Sequence, residues 1–240
     1  MSKGIYVIGT DTEVGKTVVS AGLMHLLMKK KVGAAYFKPV ASGDADVNGI
    51  RQTADPAFVS AISGFSEDPA LVTPYAFADA IAPHLAARLS GRRIDPSVVA
   101  GCLAELKARY ELIIAEGAGG LAVPLDDEGY MQHAMISRMG FPVLLVARAG
   151  LGTINHTLLT LSVARQAGLS VKAIIINGAG QTLIEQDNIA MIRKLSCVDA
   201  VFVLPPLTGV DTQSLQAGNL RDVFEQAVDI DDIIALMDRV

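Results

Sequence analysis

The stretch GTDTEVGKT, Gly9 to Thr17, decides how the rest of this 240-residue chain is read. It lies between an apolar run, Ile5-Tyr6-Val7-Ile8, and a segment in which Val18, Leu23, Leu26 and Leu27 recur at helical spacing. Strand, glycine-containing loop and helix, in that order, form the setting in which a P-loop binds phosphate. Backbone N–H groups of the loop and first helical turn point inward, and the positive end of the helix dipole adds to their pull. Lys16 can then reach the outer phosphates, and the Thr17 hydroxyl can ligate magnesium. Five residues separate Gly9 from Gly15 where four are usual, so strict register would start the motif at Thr10. A plain glycine turn before a helix would leave Lys16 and Thr17 without a use.

Working outward, further apolar runs end in residues with chemistry of their own. Ala34-Ala35-Tyr36-Phe37 leads into Lys38, and Leu112-Ile113-Ile114-Ala115 leads into Glu116-Gly117-Ala118-Gly119-Gly120. Val143 to Ala147 precedes a second glycine-rich stretch at Gly150, Val171 to Ile176 ends at Asn177-Gly178, and Val201 to Leu204 ends at Pro205-Pro206. Six such runs alternating with helical patterns predict an α/β fold, a mostly parallel, doubly wound sheet flanked by helices, of P-loop NTPase type. The length suits one domain spanning residues 1–240. Ligands of such sheets bind beyond the carboxyl ends of the strands, which puts Lys38 and Glu116 on the ligand edge. Glu116, an acid at a strand's end followed by small residues, fits a second magnesium ligand of Walker B type. Asp55, which precedes Pro56, fits two uses, a helix cap or a carboxylate meeting magnesium beside Thr17. The Gly150 stretch is either a second anion-binding helix start or a plain connection. Asn177 either reads a base edge or turns the chain in the left-handed conformation. Residues 43–53 read as a polar connection, and residues 73–83 as an insertion that shapes a substrate pocket.

Composition narrows the partners. Half of the chain is hydrophobic (51%) and 19% is charged, as expected of a Val- and Ile-rich sheet under Ala- and Leu-rich helices. A formal charge of -5 argues against a nucleic-acid surface. Cys102 and Cys197 lack disulfide, metal or redox spacing, and the four histidines lack ligand spacing. Without a signal-like segment or an apolar stretch long enough for a membrane span, the expectation is a cytoplasmic protein that acts on small molecules.

Four stretches, GTDTEVGKT, YFKPVASG, EGAGG with Pro124 beyond it, and LGTINHTLLT, together resemble the dethiobiotin synthetases, ATP-dependent carboxylases of biotin biosynthesis, in order and interval. The resemblance implies a homodimer of P-loop domains that converts 7,8-diaminopelargonate, CO2 and MgATP to dethiobiotin, ADP and phosphate through a carbamate and its anhydride with phosphate. It makes Lys16 and Lys38 the catalytic residues, and Thr17, Asp55 and Glu116 the ligands of Mg2+. Nucleotide contacts would come from Glu13, Val14, Gly15, Lys16, Thr17 and Val18, and from the backbone of Gly117, Ala118 and Gly119. Asn177, Gly178, Pro205, Pro206 and Leu207 would line the adenine pocket. Thr12 and Ser42 would meet the diamine, while Gly150, Leu151, Gly152, Thr153 and Asn155 would meet its carboxylate tail from across the dimer interface. The segment after Gly43 and the tail after Asp211 match the family pattern poorly. Partition-type switch ATPases resemble KGGxGKT, with a lysine where this chain has Thr10 and Asp11, and cobyrinate amidotransferases carry an added glutaminase domain for which 240 residues leave no room.

Overall fold

Six parallel strands form the centre of the computed structural model, which describes residues 2–47 and 50–239. They are β1 (Lys3–Gly9), β2 (Ala34–Phe37), β3 (Leu112–Gly120), β4 (Val143–Arg148), β5 (Val171–Asn177) and β6 (Ala200–Val203). Across the sheet they run β6-β5-β4-β1-β3-β2, every neighbouring pair parallel. Each coincides with one of the apolar runs. Those runs are continuous rather than alternating because both faces are covered: residues 5–8, 113–115, 143–147 and 173–176 are fully buried. A two-residue strand, Asp238–Arg239, pairs antiparallel with Lys3 and Gly4 at the start of β1, ahead of Tyr6, where β4 begins to pair.

Parallel neighbours need crossovers, and helices supply them. Lys16–Lys29 follows β1, Gln132–Met139 follows β3, Thr153–Gln166 follows β4 and Leu183–Leu195 follows β5. The helix after β1 is buried at most positions from Val19 to Leu27, because helices Ala54–Ser63 and Leu220–Ala227 pack against it. Gly22 permits that second layer: any side chain there would collide with the Phe224 ring. Between β2 and β3 the chain makes four further helices and a parallel pairing of Val40–Ser42 with Tyr75–Phe77. Residues 43–53, read from sequence as an irregular connection, instead contain Asp44–Val47 paired antiparallel with Ile50–Thr53. The segments DADV and IRQT offer no apolar run that would announce a strand.

The order of strands changes direction at β1, with β3 and β2 on one side and β4, β5 and β6 on the other. Loops leaving the carboxyl ends of β1 and its neighbours therefore diverge and leave a cleft between them.

Candidate functional site

The loop after β1 opens onto that cleft. Its helix, Lys16–Lys29, starts at Gly15, whose φ of 95° is left-handed and whose position carries no side-chain cap, so the first helical N–H groups remain available to an anion. The five-residue spacing has a steric explanation at Gly9. The loop folds directly over this residue, where a Cβ would lie 2.6 Å from the Asp11 carbonyl oxygen and 2.7 Å from a Val14 methyl. Lys16 curls back into the loop and donates from Nζ to the Asp11 carbonyl oxygen at 3.1 Å. Burial, followed by repulsion from Lys38, lowers its pKa to about 8.

Beside it lies a cluster drawn from four elements. Lys38, at the carboxyl end of β2 and only 3% exposed, donates from Nζ to Glu116 Oε1 at 2.7 Å and also pairs with Asp55 Oδ2. Burial opposes the ammonium charge, but the Asp55 and Glu116 carboxylates outweigh it and hold the Lys38 pKa above its ordinary value. Asp55 shows the mirror effect: burial pushes its carboxyl up, and the stronger pull of Lys38, with hydrogen bonds from Lys38 and Thr17, holds it below the ordinary value. Thr17 Oγ1 lies 2.8 Å from Asp55 Oδ1 and 2.9 Å from Glu116 Oε1. Asp55 is thus not a helix cap. Thr53 holds that position for helix Ala54–Ser63, and Asp55, in the first turn, faces Thr17 and Lys38.

These oxygens fit magnesium. The hydroxyl of Thr17 has one proton and two carboxylate neighbours, so one of the short contacts brings two oxygens together with no hydrogen between them, and a cation among them would relieve it. The donor set is all oxygen, as a hard divalent cation requires. No group of three or more His, Cys, Asp or Glu among the described residues could hold a metal, so the remaining ligands would be water or phosphate oxygens.

A cavity of about 590 Å³ stands over the cluster. Of the residues singled out from sequence, Thr12, Glu13, Gly15, Lys16, Thr17, Val18, Lys38, Ser42, Asp55, Ala118 and Gly119 line it. Glu116 lies buried beneath it, and Val14 belongs to the core. Gly117 packs under Gln132, where a Cβ would come within 2.9 Å of Oε1. Gln132 Oε1 also accepts the Ala118 N–H at 2.8 Å, and Nε2 donates to the Gly120 carbonyl at 2.7 Å. The Ala118 N–H is therefore spent on this fully buried glutamine. Gly43, Ala54, Ala80, Thr212 and Gln213 complete the lining and were not foreseen. Asp211, whose Oδ1 accepts the Gln213 N–H at 2.8 Å, is the turn signal that marks the last two.

The end of β5 touches the loop. Asn177 Nδ2 donates to the Val14 carbonyl at 3.1 Å, and its Oδ1 is buried without a partner among the described residues. The left-handed turn belongs to Gly178 (φ 71°), not to Asn177. The Ala179 N–H donates to Leu204 O at 2.8 Å, which sets Asn177-Gly178 beside the segment Pro205, Pro206 and Leu207. Both lie outside the cavity.

The second glycine-rich turn is not brought to this cavity. Gly152 (φ 88°) starts helix Thr153–Gln166, again without a side-chain cap. Thr153 Oγ1 donates to the Arg148 carbonyl at 2.6 Å, and Asn188 Nδ2 donates to the carbonyls of Ala149 and Gly150 at 2.9 and 3.1 Å. Leu151 is 96% exposed, and Asn155 is exposed beside it. Another cavity, of about 410 Å³, lies against helix Ala54–Ser63, but its carboxylate, Glu67, is already engaged by Tyr110 and Arg109.

A family model described as an AAA domain matches residues 3–214. The chain is 38% identical over 243 residues to the ATP-dependent dethiobiotin synthetase BioD of Clostridium kluyveri, covering 100% of both chains. It is 40% identical over 209 residues to that of Clostridium novyi, with 85% of this chain and 88% of the relative covered. The figure for Bacillus licheniformis is 40% over 211 residues, covering 85% and 86%. Among solved structures, the MinD cell division protein of Aquifex aeolicus aligns with a TM-score of 0.60 at 12% identity, over 100% of this chain and 98% of that one. The septum site-determining MinD of Pyrococcus horikoshii, complexed with Mg-ADP, gives 0.60 at 18% identity over 93% of each. At such identities the likeness is one of fold.

Proposed function

The chain belongs to the dethiobiotin synthetase family, and on that premise we propose that it joins CO2 to 7,8-diaminopelargonate with cleavage of ATP, closing the cyclic urea of dethiobiotin. The observation that carries this reading is the convergence of Thr17, Lys38, Asp55 and Glu116 beside Lys16, at the carboxyl edge of the sheet. One amine forms an N–C bond to CO2 and loses a proton, giving a carbamate. A carbamate oxygen then attacks the γ-phosphorus, and the bond to the ADP oxygen breaks. The second amine adds to the carbamoyl carbon and loses its proton, and phosphate leaves with the C–O electrons.

Two anions, carbamate and γ-phosphoryl, must meet, so the chain's task is to hold them together against repulsion. Lys16 and the uncapped N–H groups of its helix bind the phosphates. Lys38, kept charged by its carboxylates, stabilises the carbamate and the phosphoryl in transfer. Magnesium, held by Thr17, Asp55 and Glu116, would supply further neutralisation of phosphate charge. Thr12 and Ser42 face the cavity where the diamine would lie. Asn177, tethered through its amide nitrogen, presents an acceptor suited to the amino group of adenine.

The Gly150–Asn155 turn takes part from a second copy. Its distance from its own cavity, the exposed Leu151, and the exposed Leu159, Leu183 and Ile184 on the neighbouring helices together support a homodimer in which the turn meets the substrate's carboxylate tail. No helix among the described residues is long and apolar enough to cross a membrane, and a cytoplasmic enzyme is our reading. The test is phosphate release from MgATP with and without 7,8-diaminopelargonate and bicarbonate, with mass spectrometry for the cyclic urea. Release that needs both additions and yields dethiobiotin supports the proposal. Equal release without the diamine overturns the substrate assignment.

A further inference from the structure

Behind the charged cluster lie two buried tyrosines that neither phosphate binding nor the carbamate step uses. Tyr36, on β2 two residues before Lys38, has its hydroxyl donating to Glu116 Oε2 at 2.8 Å. Tyr6, on β1, is equally buried, and its hydroxyl has no partner among the described residues. The two oxygens of Glu116 are thereby divided: Oε1 meets Lys38 and Thr17 on the cavity side, whereas Oε2 is held from behind.

We propose that Tyr36 is a positioning residue for the metal site, which fixes the Glu116 carboxylate so that only Oε1 is offered to the cation. The inference rests on Thr17, Asp55 and Glu116 being the metal ligands. A carboxylate free to turn can offer both oxygens, a mode that calcium accepts in its loose shell of six to eight oxygens. Magnesium requires near-octahedral geometry at short distances, which a single fixed oxygen serves. Groups behind a ligand set its orientation and are commonly worth a large factor in metal affinity. The phenol hydroxyl, at 2.8 Å from Oε2, has its one proton to give to this carboxylate oxygen. Tyr36 thus favours a small hard cation over a larger one, without touching either.

Manganese, read by electron paramagnetic resonance, is a probe that does not depend on turnover. Mn2+ binding would be measured in the presence of ADP for the unaltered protein, Tyr36→Phe, Tyr6→Phe and Glu116→Gln, with Ca2+ as competitor and with metal-free ADP binding and thermal melting alongside. In Tyr36→Phe, Mn2+ affinity should fall about tenfold, Ca2+ should compete better, and metal-free ADP binding should stay unchanged. Tyr6→Phe should behave as the unaltered protein. Equal Mn2+ affinity and Ca2+ competition in both phenylalanine variants, with Glu116→Gln weakened, would overturn the role of Tyr36 alone. Full Mn2+ affinity in Glu116→Gln would overturn the metal-site reading and the inference with it. A parallel loss of metal-free ADP binding in Tyr36→Phe would reduce its role to loop support. The unaltered protein gives an independent check, since Ca2+ binding as tight as Mn2+ would also refute the proposal.

Discussion

Two glycine-rich turns in this molecule, residues 9–16 and 150–153, join a parallel strand to a helix, and each starts its helix at a left-handed glycine with no side-chain cap. Their surroundings are opposite. The first follows the strand at which sheet order changes direction, and within it Val14 is buried in the core and Lys16 beside a charged cluster. The second follows β4, one strand away, and holds Leu151 out in solvent. Both helix starts lack a side-chain cap and carry the same dipole, although the Thr153 N–H already donates to the Gly150 carbonyl at 3.3 Å, so cap and dipole are not the source of the difference. The first helix start is met by Lys38 and Glu116 from other strand ends, whereas the second lies outside that cavity.

The comparison breaks most visibly at Lys38. Lys38→Ala should keep ADP binding, because the loop is intact, but lose turnover by about a thousandfold, measured by phosphate release under saturating substrates; normal turnover would remove Lys38 from the chemistry. The glycines themselves come next. A Cβ on Gly15 would fall on the Asn177 amide nitrogen, whereas one on Gly152 would meet nothing nearer than His156 Cε1 at 4.0 Å. Gly15→Ala should therefore lose about 2 to 4 kcal/mol of stability together with ADP affinity, and Gly152→Ala about 1 kcal/mol with ADP affinity kept. Denaturant melts and ADP calorimetry on the pair decide it, and similar losses in both would erase the distinction. Leu151→Asp sharpens the second side: sedimentation should show monomer, with the diamine KM raised about tenfold and ADP affinity unchanged.

The smallest effect belongs to protons. Without nucleotide, Lys16 titrates near pH 8 against an ordinary value of 10.5. Its folded-state pKa is depressed, so the folded state disfavours the charged lysine below about pH 8, and its contribution to stability rises with pH between 8 and 10.5. Phosphate in the cavity favours the charged form, so ADP binding should take up a fraction of a proton at pH 8, where the terminal phosphate is already ionised. Calorimetry in two buffers of different ionisation enthalpy reads this, and no uptake at pH 8 would place Lys16 away from the phosphates.

The six central strands were legible because a sheet covered on both faces writes itself as unbroken apolar runs, and the candidate site because Lys38 and Glu116 stand at the ends of such runs while Lys16 and Thr17 open the helix after another. Asp55 stayed ambiguous because a carboxylate before a helical proline serves a cap equally well; only the fold shows that Thr53 takes that place. Gln132 was missed because an amide at a helix start looks solvated, and nothing local reveals that it clamps Ala118 and Gly120. Tyr36 was hidden inside an apolar run, where its ring satisfies the pattern and its hydroxyl leaves no mark. Thr212 and Gln213 come from residues far along the chain, in a segment with no period of either kind.

The two-residue strand at Asp238–Arg239 has a consequence for how β1 is sealed. Its flank towards β4 is closed by two segments far apart in sequence, Val143 to Val146 against Tyr6 to Gly9, and residues 238 and 239 against Lys3 and Gly4. Loss of the short strand therefore uncovers only the opening of β1. Deleting residues 238 and 239 should speed amide exchange at Lys3 and Gly4 and leave Tyr6 to Gly9 protected.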